Sequence, residues 1–111
     1  MKAPRFGVAL RNFTTPSSSP DIDDILGYAR RAEELGLDSA WVWAHVLLGS
    51  RTPFPVLDSL STLAALAVRT ERLRLGTGVL VLPLRNPTVL AKVTASIDQT
   101  LRENPSNPPC R

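Results

Sequence analysis

At 111 residues, 43% of them hydrophobic and 21% charged, the chain has room for one domain at most and the balance of an ordinary globular protein. Its net charge of +3 comes from 13 Lys and Arg spread along the whole length, without the basic block or stripe that a nucleic-acid partner calls for. The longest apolar run is bracketed by Arg74 and Arg85, short of the roughly 18 residues of a membrane span, and Cys110 has no second cysteine to pair with.

No signal-peptide core precedes the first strand-like run, so a soluble, cytoplasmic protein is expected, with no membrane and no nucleic-acid partner. Residues 5–10 are rich in β formers and read as a first strand. A polar loop follows over 11–20. Ser19 then reads as a helix cap and Pro20 as the first helical residue, with Asp21, Asp23 and Asp24 complementing the helix dipole. Ile22, Ile25, Leu26, Ala29, Ala32 and Leu35 recur at helical spacing and make one apolar stripe, which Gly36 ends.

Residues 37–45 read as the second strand and 46–57 as a longer loop. Asp58 caps a second helix running to Thr70, with Leu60, Leu63, Ala64 and Ala67 on its inner face. After a turn at Glu71 and Arg72, residues 73–82 are almost all apolar or glycine. That continuous pattern belongs to a strand covered on both faces, as in a parallel sheet with helices outside. Gly76 and Gly78 remove side chains from it, which predicts a bulge or a close approach by ligand or backbone. Asn86 caps and Pro87 opens a third helix, with Leu90, Val93, Ile97 and Leu101 on one side. Residues 1–101 thus form a β-α-β-α-β-α unit with parallel strands, an α/β fold. Residues 102–111, polar and proline-rich, are expected to be a disordered tail. The order of elements stops as if the chain had been cut.

In α/β folds the loops at the C-terminal ends of the strands carry the binding groups, here 11–20, 46–57 and 83–86. His45, the only histidine, lies at such an end. Taken alone it reads as a capping or hydrogen-bonded residue, and a lone histidine without neighbouring ligands makes no metal site. Trp41 and Trp43 share one face of the second strand, as core or as a stacking surface, core being the commoner use. Gly76 and Gly78 open a dinucleotide fingerprint whose third glycine is replaced by Val81. Arg85 and Asn86 stand at a helix start, where Asn86 either caps or helps receive a phosphate; capping is the simpler role. No hydrolytic constellation is visible.

Residues 6–10, 32–46 and 70–87, with continuity through 91–99, together resemble the luciferase-like monooxygenase superfamily of flavin and deazaflavin oxidoreductases. The resemblance covers the first three of the family's eight βα units. Among its members, those using coenzyme F-420 are the most similar, and those using FMN come second. It implies a partial TIM-like (β/α) barrel and hydride transfer between a small organic substrate and the cofactor. It also implies that His45 is both catalytic and cofactor-binding, beside the ring's reactive edge. Gly78 and Val79 would form the wall behind the ring, joined by a non-proline cis peptide. Many members carry Asp-His at this place, whereas this chain has Ala44 and His45, so the acidic partner is missing. The sequence departs from the family at Thr100, and as a lone chain the enzyme is expected to be incomplete. Two other outcomes stay open. One is a catalytically inactive truncated fragment that forms a homo-oligomer through exposed strand edges; the other is a small standalone α/β binding module.

Overall fold

The computed structural model describes residues 2–49 and 51–103. Strand β1 (Gly7–Leu10) is followed by α1 (Ile22–Glu34), β2 (Ser39–Ala44), α2 (Ser59–Arg69), β3 (Arg74–Leu80), a short 3-10 turn (Leu82–Leu84) and α3 (Pro87–Glu103). The three strands form one sheet in the order β1-β2-β3, and both pairings are parallel. The chain is therefore an α/β fold built of three consecutive βα units.

Local signals set most of the helix ends. The Asp58 carboxylate accepts the Ser61 N–H at 2.9 Å and starts α2, which Thr70 closes. Asn86 Oδ1 accepts the N–H groups of Thr88 and Val89 at 3.0 and 3.1 Å, and Pro87 opens α3. Gly36 ends the first helix in the left-handed region, with φ of 81°. The start of α1 differs from expectation. Asp21, not Ser19, is the cap, because its carboxylate reaches the Asp23 N–H at 2.8 Å, and Pro20 lies before the helix. At the other end, α3 continues through Arg102, whose Nε donates to Asp98 at 2.7 Å. Arg102 and Glu103 are thus helical and not tail; the remaining tail residues, 104–111, lie outside the described residues.

All three helices lie on one face of the sheet. Leu10, Ala40, Val42 and Leu73 from the strand side meet Ile25, Ala29 and Ala32 of α1 and Leu60, Leu63 and Leu66 of α2. Leu90, Val93 and Ile97 of α3 pack at the edge of this core. The full exclusion of Ala29 and Ala40 from solvent reflects close helix-on-sheet approach through small side chains. Ala64, expected inside, is exposed; Leu66 is buried instead, since its spacing of three from Leu63 keeps it on the core face.

The opposite face of the sheet is bare, and this corrects the reading of β3 as covered on both sides. None of its seven residues is classed as buried, and Val79 is 64% exposed. Its composition suits two apolar surroundings, but the described helices supply only one. Trp41, expected in the core, is 45% exposed on the bare face. Its indole occupies the space that Gly76 leaves: a Cβ added there would stand 2.6 Å from ring carbons of Trp41. Trp41 Nε1 donates to Ser39 Oγ at 3.0 Å. So a side chain from the neighbouring strand, and not a ligand, makes the close approach at Gly76.

One long-range clamp fixes the far end of the sheet. Glu33 at the end of α1 accepts the N–H groups of Glu71 at 2.8 Å and Leu73 at 3.0 Å, and also that of Arg72. Its carboxylate thereby satisfies the turn leading into β3 at the N-terminal ends of the strands. No helix among the described residues is long and apolar enough to cross a membrane.

Candidate functional site at the C-terminal strand ends

The β2–β3 ladder is regular from Ser39↔Arg74 to Val42↔Thr77 and resumes at Ala44↔Leu80. Trp43 alone therefore faces both Gly78 and Val79, a bulge with the extra residue in β3. The Gly78–Val79 peptide is a non-proline cis bond, at the step where the resemblance places one. A Cβ added at Gly78 would meet nothing within 4 Å, in contrast to Gly76. The bulge thus leaves an open patch beside the end of β2.

His45 is the next residue beyond β2. Its ring lies 5.7 Å from that of Trp43, Trp43 lies 4.8 Å from Phe13, and the Arg11 guanidinium stands 5.1 Å from the Phe13 ring centre. The aromatic residues thus carry contact from the loop after β1 to the end of β2. Trp43 is half-buried in this column. Nδ1 of His45 is buried and has no hydrogen-bond partner among the described residues. The reading of His45 as a hydrogen-bonded cap is therefore not met at this atom. Ala44, where the resemblance would place an acid, is fully buried.

Asn12 lies in the polar stretch 11–20, yet it is fully buried. Its Nδ2 donates to the carbonyls of Trp43 at 2.7 Å and Leu57 at 2.8 Å, and its Oδ1 accepts the Trp43 N–H at 2.9 Å. Nothing in hydrophobic spacing marks such a residue, because its partners are 31 and 45 positions away.

Arg85 and Asn86 do not come together as a phosphate site. Asn86 is occupied in capping α3. Arg85, with only 17% of its side chain exposed, donates from Nη2 to Asp58 at 3.1 Å and to Ser59 Oγ at 3.2 Å. Burial alone would raise the Asp58 pKa, but hydrogen bonds from the Ser61 N–H and O–H and from Arg85 outweigh it and hold the carboxyl below its ordinary value. Among the described residues no three His, Cys, Asp or Glu side chains come together as metal ligands.

Comparison with known proteins adds the family. Residues 5–102 match the model of the luciferase-like monooxygenases. The chain is 42% identical over 79 residues to an F420-dependent glucose-6-phosphate dehydrogenase of Amycolatopsis mediterranei, which covers 67% of this chain and 22% of that protein. It is 43% identical over 79 residues to the enzyme of the same name from Kribbella flavida. Among solved structures, a riboflavin lyase (RcaE) with modified FMN and riboflavin superposes over 91% of this chain and 28% of its own, with a TM-score of 0.74 and 25% identity. The monooxygenase RslO1 from Streptomyces bottropensis superposes over 91% of this chain and 31% of its own, with a TM-score of 0.69 and 26% identity. The chain spans 22% of the length of the curated relatives it matches. With three parallel βα units of a TIM-like barrel and a family match along nearly its whole described length, the chain belongs to the luciferase-like monooxygenase family.

Proposed function

We propose that this chain is the N-terminal part of an oxidoreductase that transfers a hydride between a small organic substrate and coenzyme F-420, with FMN as the alternative cofactor. The observation that carries the reading is the pairing, at one end of the sheet, of an open glycine bulge with the buried Nδ1 of His45, which has no hydrogen-bond partner among the described residues. A flat tricyclic ring needs a wall without side chains and a polar group at its edge, and these residues fit both needs. Similarity favours F-420 over FMN, since the relatives at 42 and 43% identity are named for it, while the FMN-bearing structure is at 25%.

The bound cofactor supplies the redox chemistry, which no side chain of this family's fold provides by itself. Gly78 keeps the wall low, and exposed Val79 offers an apolar contact. His45 Nδ1 holds or accepts a proton at the ring's edge. Cytoplasmic location and a small-molecule substrate belong to the same proposal. Titrating the full chain with F-420 and, separately, FMN while following cofactor fluorescence tests it. Saturable binding that weakens in His45→Ala is expected; no saturable change with either cofactor overturns it.

A second reading has its own observation. Among the described residues β1 and β3 each have one unpaired edge, and Trp41 and Val79 are exposed on or beside the bare face. Such edges template pairing with another chain, which makes a catalytically silent homo-oligomer the alternative. Sedimentation separates the two: an assembly that binds neither cofactor supports the second, and a cofactor-binding species supports the first.

A further inference from the structure

The hydrogen-bonded ladder between β1 and β2 ends at Leu10↔Val42. Beyond it β1 and β2 no longer pair with each other, yet the Trp43 N–H and carbonyl both stay bonded, because the Asn12 side-chain amide takes the place of a peptide on that side of β2. It accepts the Trp43 N–H at 2.9 Å and donates to the Trp43 carbonyl at 2.7 Å. The same amide donates to the Leu57 carbonyl at 2.8 Å, while the Asn12 carbonyl accepts the Leu57 N–H at 2.8 Å. One fully buried residue thus ties together the loop after β1, the end of β2 and the lead into α2.

Trp43 is the residue that faces the Gly78–Val79 bulge, and its ring is 5.7 Å from that of His45. We propose that Asn12 is the positioning residue of this site: by gripping the Trp43 backbone it sets where His45 projects and how the bulge is presented. Its consequence for a cofactor rests on the function proposed above. Its geometric core, the placing of His45, does not. Asn12 itself is fully buried and acts through Trp43.

Glu33 provides the matched control. It too bonds three backbone polar groups across a long sequence separation, but at the opposite end of the strands. Because His45 is the only histidine, its ring protons give isolated NMR signals. The experiment compares the full native chain with Asn12→Ala and Glu33→Ala, following the His45 signals through a pH titration and F-420 binding by fluorescence. Asn12→Ala is expected to move the His45 signals and their titration midpoint and to weaken F-420 binding about tenfold, the scale of one net hydrogen bond. Glu33→Ala is expected to leave both where they are. Unmoved His45 signals in a folded Asn12→Ala chain overturn the proposal, as does an equal movement in both variants.

Amide exchange in the native chain decides the matter even if Asn12→Ala does not fold. A Trp43 N–H as protected as the β2 ladder supports the proposal, and one exchanging at loop rates overturns it. Should the native chain bind no F-420, the ring-site reading falls, while the His45 signals still decide whether Asn12 positions them.

Discussion

A single methyl group added at Gly76, and separately at Gly78, should have opposite consequences although the two positions are two residues apart on β3. At Gly76 the new Cβ would stand 2.6 Å from two carbons of the Trp41 ring and 3.2 Å from a third, closer than carbon atoms can approach. Trp41 is 45% exposed, so it can swing away, but only by giving up its cover over the sheet and its bond to Ser39. Overpacking of this kind costs about 1–2 kcal/mol when the neighbour can yield, a fall in melting temperature on the order of 5–10 °C. At Gly78 nothing lies within 4 Å. There the methyl group restricts the unfolded chain and should be neutral or stabilising by up to about 0.5 kcal/mol. Thermal melts of the two variants followed by tryptophan fluorescence provide the assay, with a shifted emission maximum expected for Gly76→Ala alone. Equal melting temperatures, or a Gly78→Ala chain less stable than Gly76→Ala, would refute the assignment of Trp41 to the space above Gly76.

Gly78→Val, which fills the open patch with a larger side chain, should weaken F-420 binding; unchanged affinity by fluorescence titration would remove Gly78 from the wall. His45→Ala gives up no hydrogen bond at Nδ1, so its melting temperature should stay close to native while F-420 affinity falls about tenfold. Glu33→Ala strips the acceptor from three N–H groups leading into β3. A loss of about 2 kcal/mol is expected by urea unfolding, with faster amide exchange at Glu71 and Leu73. Asp58 bears on acid stability. Its folded carboxyl pKa lies below the ordinary value of 3.8, so its contribution is present above that value and is lost as pH falls through the lower folded one. The group is 48% exposed, and screening keeps the effect under about 1 kcal/mol. Asp58→Asn should therefore flatten the acid limb of the stability profile below about pH 4, most visibly at low salt.

The sequence by itself determined the features whose causes lie within a turn or two of chain. Asp58 and the Asn86–Pro87 pair started α2 and α3 where expected, since a cap acts on N–H groups two or three residues ahead. The order of strands and helices followed from alternating periodicities, and the family likeness rested on contiguous segments. Where two local signals competed, Ser19–Pro20 against Asp21, the carboxylate that actually reached an N–H prevailed. Tertiary structure alone decided the rest. Composition says that β3 tolerates apolar surroundings on both faces, but whether a face is covered depends on which elements are there to cover it. Gly76 reads as room for a ligand until Trp41, paired with it across the sheet, is seen to fill that room. Asn12 and Glu33 look like solvent-facing polar residues because hydropathy records a side chain's cost of burial and not the partners that offset it. Those partners are backbone groups 31 to 45 positions away, brought within hydrogen-bond reach only when the strands align.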